Sequence, residues 1–408
     1  MIGRFRYRFE RFGGVLAFER PALLVTATRA FLKKCGLDGG AAWSEPEDDE
    51  AVPRLSAPVE AHLALTNRCN AGCSHCYQSS GDPLPGELGR EGMLALIDRL
   101  AEAGIFHVAL GGGESFLLPW LFDVAQHARA KGIVPNVTTS GLALTEEQAR
   151  RSAIFGRINV SLDGASEDGY GEFRTASAFA KAERAIRLLR RFHKHVGINV
   201  VVSRANFSHL EEIVRHARQL GCDEVELLRL KPAGRGRETW DAHRPTEEQN
   251  RALLPALLAI RKRYRISLKV DCSFAPMVAW TNADPEVLEF FSVLGCEGGD
   301  YLVGIDAAGN AKPCSFEHDE SQKFPAVELA TRWRDAGVFS HYREHSSAPP
   351  EPCASCEYRR VCRGGCRVVA KFATGDAHAP DPECPRVIAW RAGAGALVAR
   401  RASLPVLG

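Results

Sequence analysis

The sequence predicts an α/β protein: a partial (β/α)6 TIM-like barrel, with an N-terminal β-hairpin/helix segment before it and a C-terminal Cys-rich domain after it. Three observations predict this. Six short apolar runs alternate with amphipathic stretches between Glu60 and Lys231, which is the rhythm of parallel strands joined by crossover helices. The stretch before them has a two-residue rhythm and ends in an acidic, proline-flanked segment. After Ser267 the periodicity fades and Cys, Gly and Pro accumulate. The boundaries fall at 1–55, 56–266 and 267–408, which suits 408 residues at roughly 100–200 residues per domain.

In chain order, Arg4-Phe5-Arg6-Tyr7-Arg8-Phe9 alternates basic and aromatic residues, a strand signal, and Gly13-Gly14 turns the chain into Val15–Phe18. The hairpin so formed offers an edge to an extended segment, or it covers the open barrel with its aromatics in the core. Thr26–Lys34 reads as a short helix and Glu45–Pro53 as a linker. The barrel strands are His62–Thr66, His107–Leu110, Val134–Thr138, Ile158–Ser161, Ile198–Ser203 and Glu224–Leu228. Helical patterns over Gly92–Ala103, Ala178–Phe192 and Leu210–Leu220 lie among them, and Glu247–Arg263 follows the last. Six units are too few to close an eight-stranded barrel. In such sheets ligands bind at the C-terminal strand ends.

The net charge of +2, from 52 basic and 50 acidic residues, argues against a dedicated nucleic-acid binder. No apolar run approaches the roughly 18–20 residues that cross a bilayer, and arginines break up Met1–Lys34 where a signal peptide would need an apolar core. The expectation is a cytoplasmic protein. There, 13 cysteines speak for metal ligands and not for disulfides. Ten of them fall in an early and a late group.

The early group follows the first barrel strand: Cys69-x3-Cys73-x2-Cys76, in the loop that continues to Tyr77. Three thiolates in one loop are one short of closing a zinc or iron–sulfur site, so a cubane held there keeps one iron open. The second strand ends in Gly111-Gly112-Gly113-Glu114, where glycines permit close backbone approach and the carboxylate can accept from an ammonium; a tight strand–helix connection reads the same way.

This loop, with the six-unit region around it, resembles the radical S-adenosylmethionine (SAM) enzymes. The resemblance implies that Cys69, Cys73 and Cys76 hold a [4Fe-4S] cluster whose open iron takes SAM. It implies SAM contacts from Tyr77, from Gly112, Gly113 and Glu114, from Thr138 and Ser140 in Thr138-Thr139-Ser140-Gly141, and from Ser161 and Asp163 in Ser161-Leu162-Asp163-Gly164. Arg174 matches an arginine that pairs with the SAM carboxylate; a solvated helix-start arginine is the bland alternative. Lys231–Arg235 resembles a family segment near the adenine.

The late group runs Cys296, Gly309-x4-Cys314, Cys353-x2-Cys356-x5-Cys362-x3-Cys366 and Cys384. Part of this spacing could close a zinc tetrahedron, but seven cysteines exceed one zinc site. The whole string resembles the SPASM domain. That implies two auxiliary iron–sulfur clusters, one on Cys296, Cys314 and Cys366, the other on Cys353, Cys356, Cys362 and Cys384. The chain departs from sulfatase maturases, which have another cysteine between the first two and an aspartate where Ser315 stands. Cys272 or a non-cysteine group could complete the first set; Cys35, Cys222 and Cys272 are otherwise unassigned, and His75 reads as a solvated loop histidine.

The resemblance implies reductive SAM cleavage to a 5′-deoxyadenosyl radical. It also implies oxidation or cross-linking of a ribosomally made peptide or protein, with electrons from a flavodoxin or ferredoxin. The rival readings are a radical SAM oxidase or epimerase of a small molecule or cofactor precursor, and an iron–sulfur or zinc binding module without catalysis. No nucleic-acid or membrane partner is expected.

Overall fold

The computed structural model describes residues 5–19, 22–44, 46, 54–290, 293–335 and 337–393. The Glu45–Pro53 linker, Pro46 apart, lies outside them. One sheet of ten strands organises the molecule, in the order β10-β9-β8-β7-β6-β5-β4-β11-β12-β13. The six expected strands are its centre: β4 (Glu60–Thr66), β5 (His107–Gly112), β6 (Val134–Thr139), β7 (Ile158–Ser161), β8 (Val196–Val202) and β9 (Glu224–Arg229). All neighbouring pairs among them are parallel.

The late region adds strands at both edges. β10 (Ser267–Val270) pairs in parallel with β9, and β11 (Leu302–Ile305) with β4. β12 (Asn310–Lys312) and β13 (Phe324–Pro325) continue antiparallel. No periodic pattern marks β11, which has only four residues.

The strands have two different faces. In β4, Ala61, Leu63 and Leu65 are buried against the helices, while His62 and Ala64 line the interior. The helix Phe179–Arg190 shows why the outer face holds: Phe179, Ala182, Ile186 and Leu189 recur at helical spacing and are all buried. Each large apolar side chain so covered contributes about 1.5–3 kcal/mol. The helix Glu247–Tyr264 starts at a capping box, Thr246 with Gln249, and stops at left-handed Arg265.

The N-terminal segment has three strands where two were expected: β1 (Phe5–Glu10), β2 (Gly13–Glu19) and β3 (Ala22–Thr28). The third takes the first residues of the expected helix, which shortens to Arg29–Lys34 with Thr28 as its cap. The turn sits at Arg11-Phe12, so Gly13-Gly14 opens β2. Arg8 donates to the carbonyls of Ala57 (2.5 Å) and Gly104 (2.8 Å), and Arg6 to that of Gly132 (2.9 Å). These carbonyls precede β4, β5 and β6, so the arginine face docks on the N-terminal end of the barrel. Phe5 and Tyr7 stay 42% and 47% exposed, so these two aromatics do not fill a core.

Candidate functional site

A cavity of about 480 Å³ opens at the C-terminal strand ends. Its wall includes Cys69, Cys73, Cys76, Tyr77, Gly112, Gly113, Glu114, Thr138, Ser140, Ser161 and Arg174. Of the expected barrel-site residues, Asp163 alone is absent from the wall. It is buried behind it, where it accepts from Arg174 Nε (2.6 Å) and from the Val201 amide (2.7 Å).

The cysteine loop is braced from several sides. The amide of Gly113 donates to Thr66 O (2.7 Å) and that of Glu114 to Arg68 O (2.8 Å), joining the β5 turn to the root of the loop. This is the use of the glycines: a Cβ on Gly113 would stand 2.1 Å from Arg68 O, and Gly112 has φ +99°. Glu87 accepts from Thr66 Oγ1 and the Asn67 amide, both at 2.7 Å. Arg235 donates to Cys73 O (2.9 Å) and Ser80 O (2.8 Å), and its amide to Cys76 O (3.0 Å). Gly234 lies so close to the Cys76-Tyr77 backbone that a Cβ would meet Cys76 O at 2.4 Å. The Lys231–Arg235 segment therefore clamps the cysteine loop.

Arg174 is not a solvated arginine. Its side chain is 9% exposed, ion-paired to Asp163, and its guanidinium donates to Cys73 Sγ (3.1 Å). Burial opposes the Arg174 charge, but Asp163 and Cys73 raise its pKa on balance. His75 is likewise buried, against the Phe173 ring at 4.6 Å and 3.9 Å from Asp163. Burial lowers its pKa to about 4, so the ring is neutral at pH 7. Both carboxylate oxygens of Glu114 are engaged, one by Thr139 Oγ1 (2.7 Å) and the Phe116 amide (3.1 Å), the other by the Ser140 amide (2.8 Å) and hydroxyl. Tyr77 stacks on Phe316 at 4.5 Å, which ties the loop to the late region.

The cysteine thiols are suited to a metal cluster. Burial pushes the Cys69 and Cys73 thiols up, and the charges of the other loop cysteines push the same way. A bound cation reverses this and draws out the thiolates.

The late cysteines gather as two sets. Burial first, then the charges of Cys366 and Cys314, push the Cys296 thiol up to about 12. Burial and Cys366 push Cys314 up to about 11. Cys353, Cys356, Cys362 and Cys384 line one small cavity of about 40 Å³. Among the described residues no three of His, Cys, Asp and Glu converge closely enough to hold one ion. Arg367 sits beside both sets, 2% exposed: it donates to the carbonyls of Ala377 (2.9 Å) and Ala379 (2.8 Å), and its charge lowers the thiols of Cys296 and Cys353. Cys222 is a fully buried thiol in the barrel core.

Fold and site together define a radical SAM enzyme. The chain matches the Radical SAM superfamily model over residues 63–217. It is 34% identical over 355 residues to mycofactocin maturase MftC of Mycobacterium ulcerans (strain Agy99), covering 82% of this chain and 92% of that one. It is 30% identical over 348 residues to AdoMet-dependent heme synthase of Methanosarcina barkeri (strain Fusaro / DSM 804), covering 82% and 98%. Among solved structures it is similar to Streptococcus suis SuiB bound to precursor peptide SuiA, with a TM-score of 0.71, 15% identity, and 93% and 98% of the two chains covered. That likeness concerns the fold and runs through barrel and late region alike. The chain belongs to the radical SAM superfamily. Among the described residues no helix is long and apolar enough to cross a membrane.

Sequence reasoning missed the braces Glu87 and Arg235 and the polar floor of the cavity. The floor had left a signal: Asn136 and Thr138, Asn159 and Ser161, Glu224 and Glu226 are polar at alternate positions of strands otherwise apolar.

Proposed function

We propose that the chain is a cytoplasmic maturase that modifies a side chain of a ribosomally made peptide, by oxidation or cross-linking. The observation that carries this is the braced three-cysteine loop facing the Gly112-Gly113-Glu114 turn across one cavity, in a chain similar over four-fifths of its length to a peptide maturase. Cys69, Cys73 and Cys76 hold a [4Fe-4S] cluster. Tyr77, Gly112, Gly113, Glu114, Thr138, Ser140 and Ser161 surround SAM, with Asp163 orienting Arg174 from behind. A [4Fe-4S] cluster bound there and reduced would supply one electron for cleavage of SAM, giving methionine and a radical able to take a hydrogen atom from substrate.

The protein's own residues fix geometry. Arg235 holds the Cys73 carbonyl and Arg174 its sulfur. Neutral His75 adds no charge beside the thiolates. Glu114 orders Thr139 and Ser140, so that their turn faces the cavity as a unit. Two auxiliary clusters occupy the late sets, on Cys296, Cys314 and Cys366, and on Cys353, Cys356, Cys362 and Cys384, with buried Arg367 offsetting their charge. A flavodoxin or ferredoxin supplies the electrons.

The test is co-expression with candidate precursor peptides, followed by mass spectrometry and measurement of 5′-deoxyadenosine. A peptide mass change that depends on SAM supports the proposal. 5′-Deoxyadenosine formation without change to any precursor peptide points instead to a cofactor precursor as substrate, the reading favoured by the AdoMet-dependent heme synthase relative.

A further inference from the structure

The strands carry a second inward ring two residues below the upper one, or roughly 6–7 Å deeper. Its members include Asn136 below Thr138, Asn159 below Ser161, and Glu226 below Leu228, all on the cavity wall. Register places Asn199, Glu226 and Lys269 level with Ser161, two residues above Asn159, whose side chain joins the two rows by its bonds to Asn199 and Glu226. Small residues keep the ring open. Ala109 stands between His62 and Asn136, and Gly197 beside Asn159, where a Cβ would come within 2.8 Å of Asn159 Oδ1.

The floor has more acceptors than donors. Asn159 spends its amide hydrogens on Asn199 Oδ1 (2.7 Å) and Glu226 Oε2 (2.8 Å). Its own Oδ1 and the Oδ1 of Asn136 are acceptors buried without a partner, and the Nε2 of His107, donor or acceptor by tautomer, is unpartnered beside them. Asn159 and His107 are each 5% exposed, so these are enclosed groups and not surface ones.

Charge leans the same way. The cations of the wall are committed: Arg157 and Lys269 to Glu224, Lys231 to Asp271, Arg229 to Asp381 and Glu383, Arg174 to Asp163, and Lys312 to two carbonyls. Glu60 has His62 (3.1 Å) as its only ion-pair partner among the described residues, and Glu226 has none. Glu226 is half-buried on the cavity wall beside free acceptors, and its strand neighbour Lys269 is ion-paired to Glu224, which leaves the floor short of donors.

We propose that this floor is the subsite for a cationic side chain of the substrate, an ammonium or guanidinium that Glu226 and Glu60 neutralise and that donates to the free oxygens of Asn136 and Asn159. Such a group brings three to five N–H donors and no acceptor, which matches the excess. A substrate anchored there places the atoms next to its cationic group under the upper ring. The inference rests on the reading of that ring as the SAM site.

The experiment titrates the anaerobically reconstituted full chain, with SAM present, with N-acetyl-arginine amide and N-acetyl-lysine amide, followed by saturation-transfer NMR. Neutral N-acetyl-citrulline amide and N-acetyl-norleucine amide and anionic N-acetyl-glutamate amide serve as comparisons. The cationic probes should bind and compete with one another, and Glu226→Gln should weaken them about tenfold or more. Asn136→Lys, which puts an ammonium into the floor, should abolish their binding; it guards against misfolding of the glutamine variant. Equal binding of neutral probes, preference for the anionic one, or unchanged binding in a folded Asn136→Lys chain overturns the inference. SAM binding to the unmodified chain is measured alongside. Its absence indicts the reading of the upper ring, whereas SAM binding without cation binding overturns the present inference alone.

Discussion

The two cysteine regions reach similar ends by opposite routes. The barrel loop brings three thiols together within eight residues, and its braces come from the loops of the barrel: Glu87 and Gly113 near it in the chain, Arg174 and Arg235 from 101 and 162 residues beyond Cys73. The late sets span Cys296 to Cys384, and contacts distant in sequence hold their frame. Arg229, at the end of β9, is 2% exposed and bonded twice to Asp381 (2.6 and 2.9 Å) and to Glu383 (2.6 Å), while Asp381 also accepts from the Cys366 amide (2.9 Å). The loop carries its three thiols in one segment and takes only their bracing from the barrel. The dispersed sets depend on a buried electrostatic joint, and damage to that joint should act on the late sets more than on the loop.

The sharpest way to separate the two is to remove the loop. Replacing Cys69, Cys73 and Cys76 with alanine should end 5′-deoxyadenosine formation. It should also lower the iron content by about 4 from about 10–12 per chain if all three clusters are cubanes, leaving the late share in place. Iron loss in proportion from all sites would show that the regions are not independent.

Breaking the joint comes next. Arg229→Met leaves buried Asp381 without a counter-charge and Glu383 with Arg244 alone (2.9 Å), and should cost about 3–5 kcal/mol in thermal or denaturant unfolding. It should also lower the iron held by the late cysteines more than that held by the loop. Adding Asp381→Asn and Glu383→Gln should recover much of the loss. The joint is also acid-sensitive. Burial works against the Asp381 carboxylate, but Arg229 keeps its pKa below the ordinary value on balance. Its contribution is therefore complete above about pH 4, the unfolded value, and is lost as pH falls through the lower folded value. Stability curves of the wild type and of Asp381→Asn should run parallel above about pH 4 and converge as the pH falls below it; curves that stay parallel through the acid range would contradict the assignment.

Arg235→Ala tests the local braces and should do less. Losing two side-chain donors to Cys73 O and Ser80 O should cost roughly 1–3 kcal/mol. It should show as faster loss of the loop cluster's absorbance under chelator, with the late iron unaffected. The smallest effect expected is that of Cys272→Ala. The charge of Cys296 bears on Cys272, yet the three cysteines of the first late set act on one another without it. Iron content and cluster spectrum should stay as they are; selective loss of one late cluster would make Cys272 its fourth ligand.

The same contrast explains what the sequence made legible. The barrel strands could be read because both faces repeat over short distances, and the cysteine loop because its spacing lies in one segment. β11 carried no signal, since four residues owe their strand state to the pairing partner β4. β3 was hidden because Ala22–Thr28 lacks polar alternation and runs into a helix cap. Arg174 and His75 were ambiguous because their burial is decided by Asp163, which is distant in the chain from His75. In β1 the alternation was correctly seen, but its direction was not: the arginines find carbonyls at the barrel's end and turn inward, and Phe5 and Tyr7 face out.

The Arg229 joint also bears on how the chain is made. Arg229 must wait for Asp381, 152 residues further along. At roughly 5–20 residues per second, a ribosome takes roughly 8–30 s to deliver it. During that interval the end of β9 carries an uncompensated guanidinium beside cysteines that have no partners yet. The loop site, whose braces end at Arg235, is complete well before the joint that holds the late cysteines, so the two regions must mature in that order along the chain.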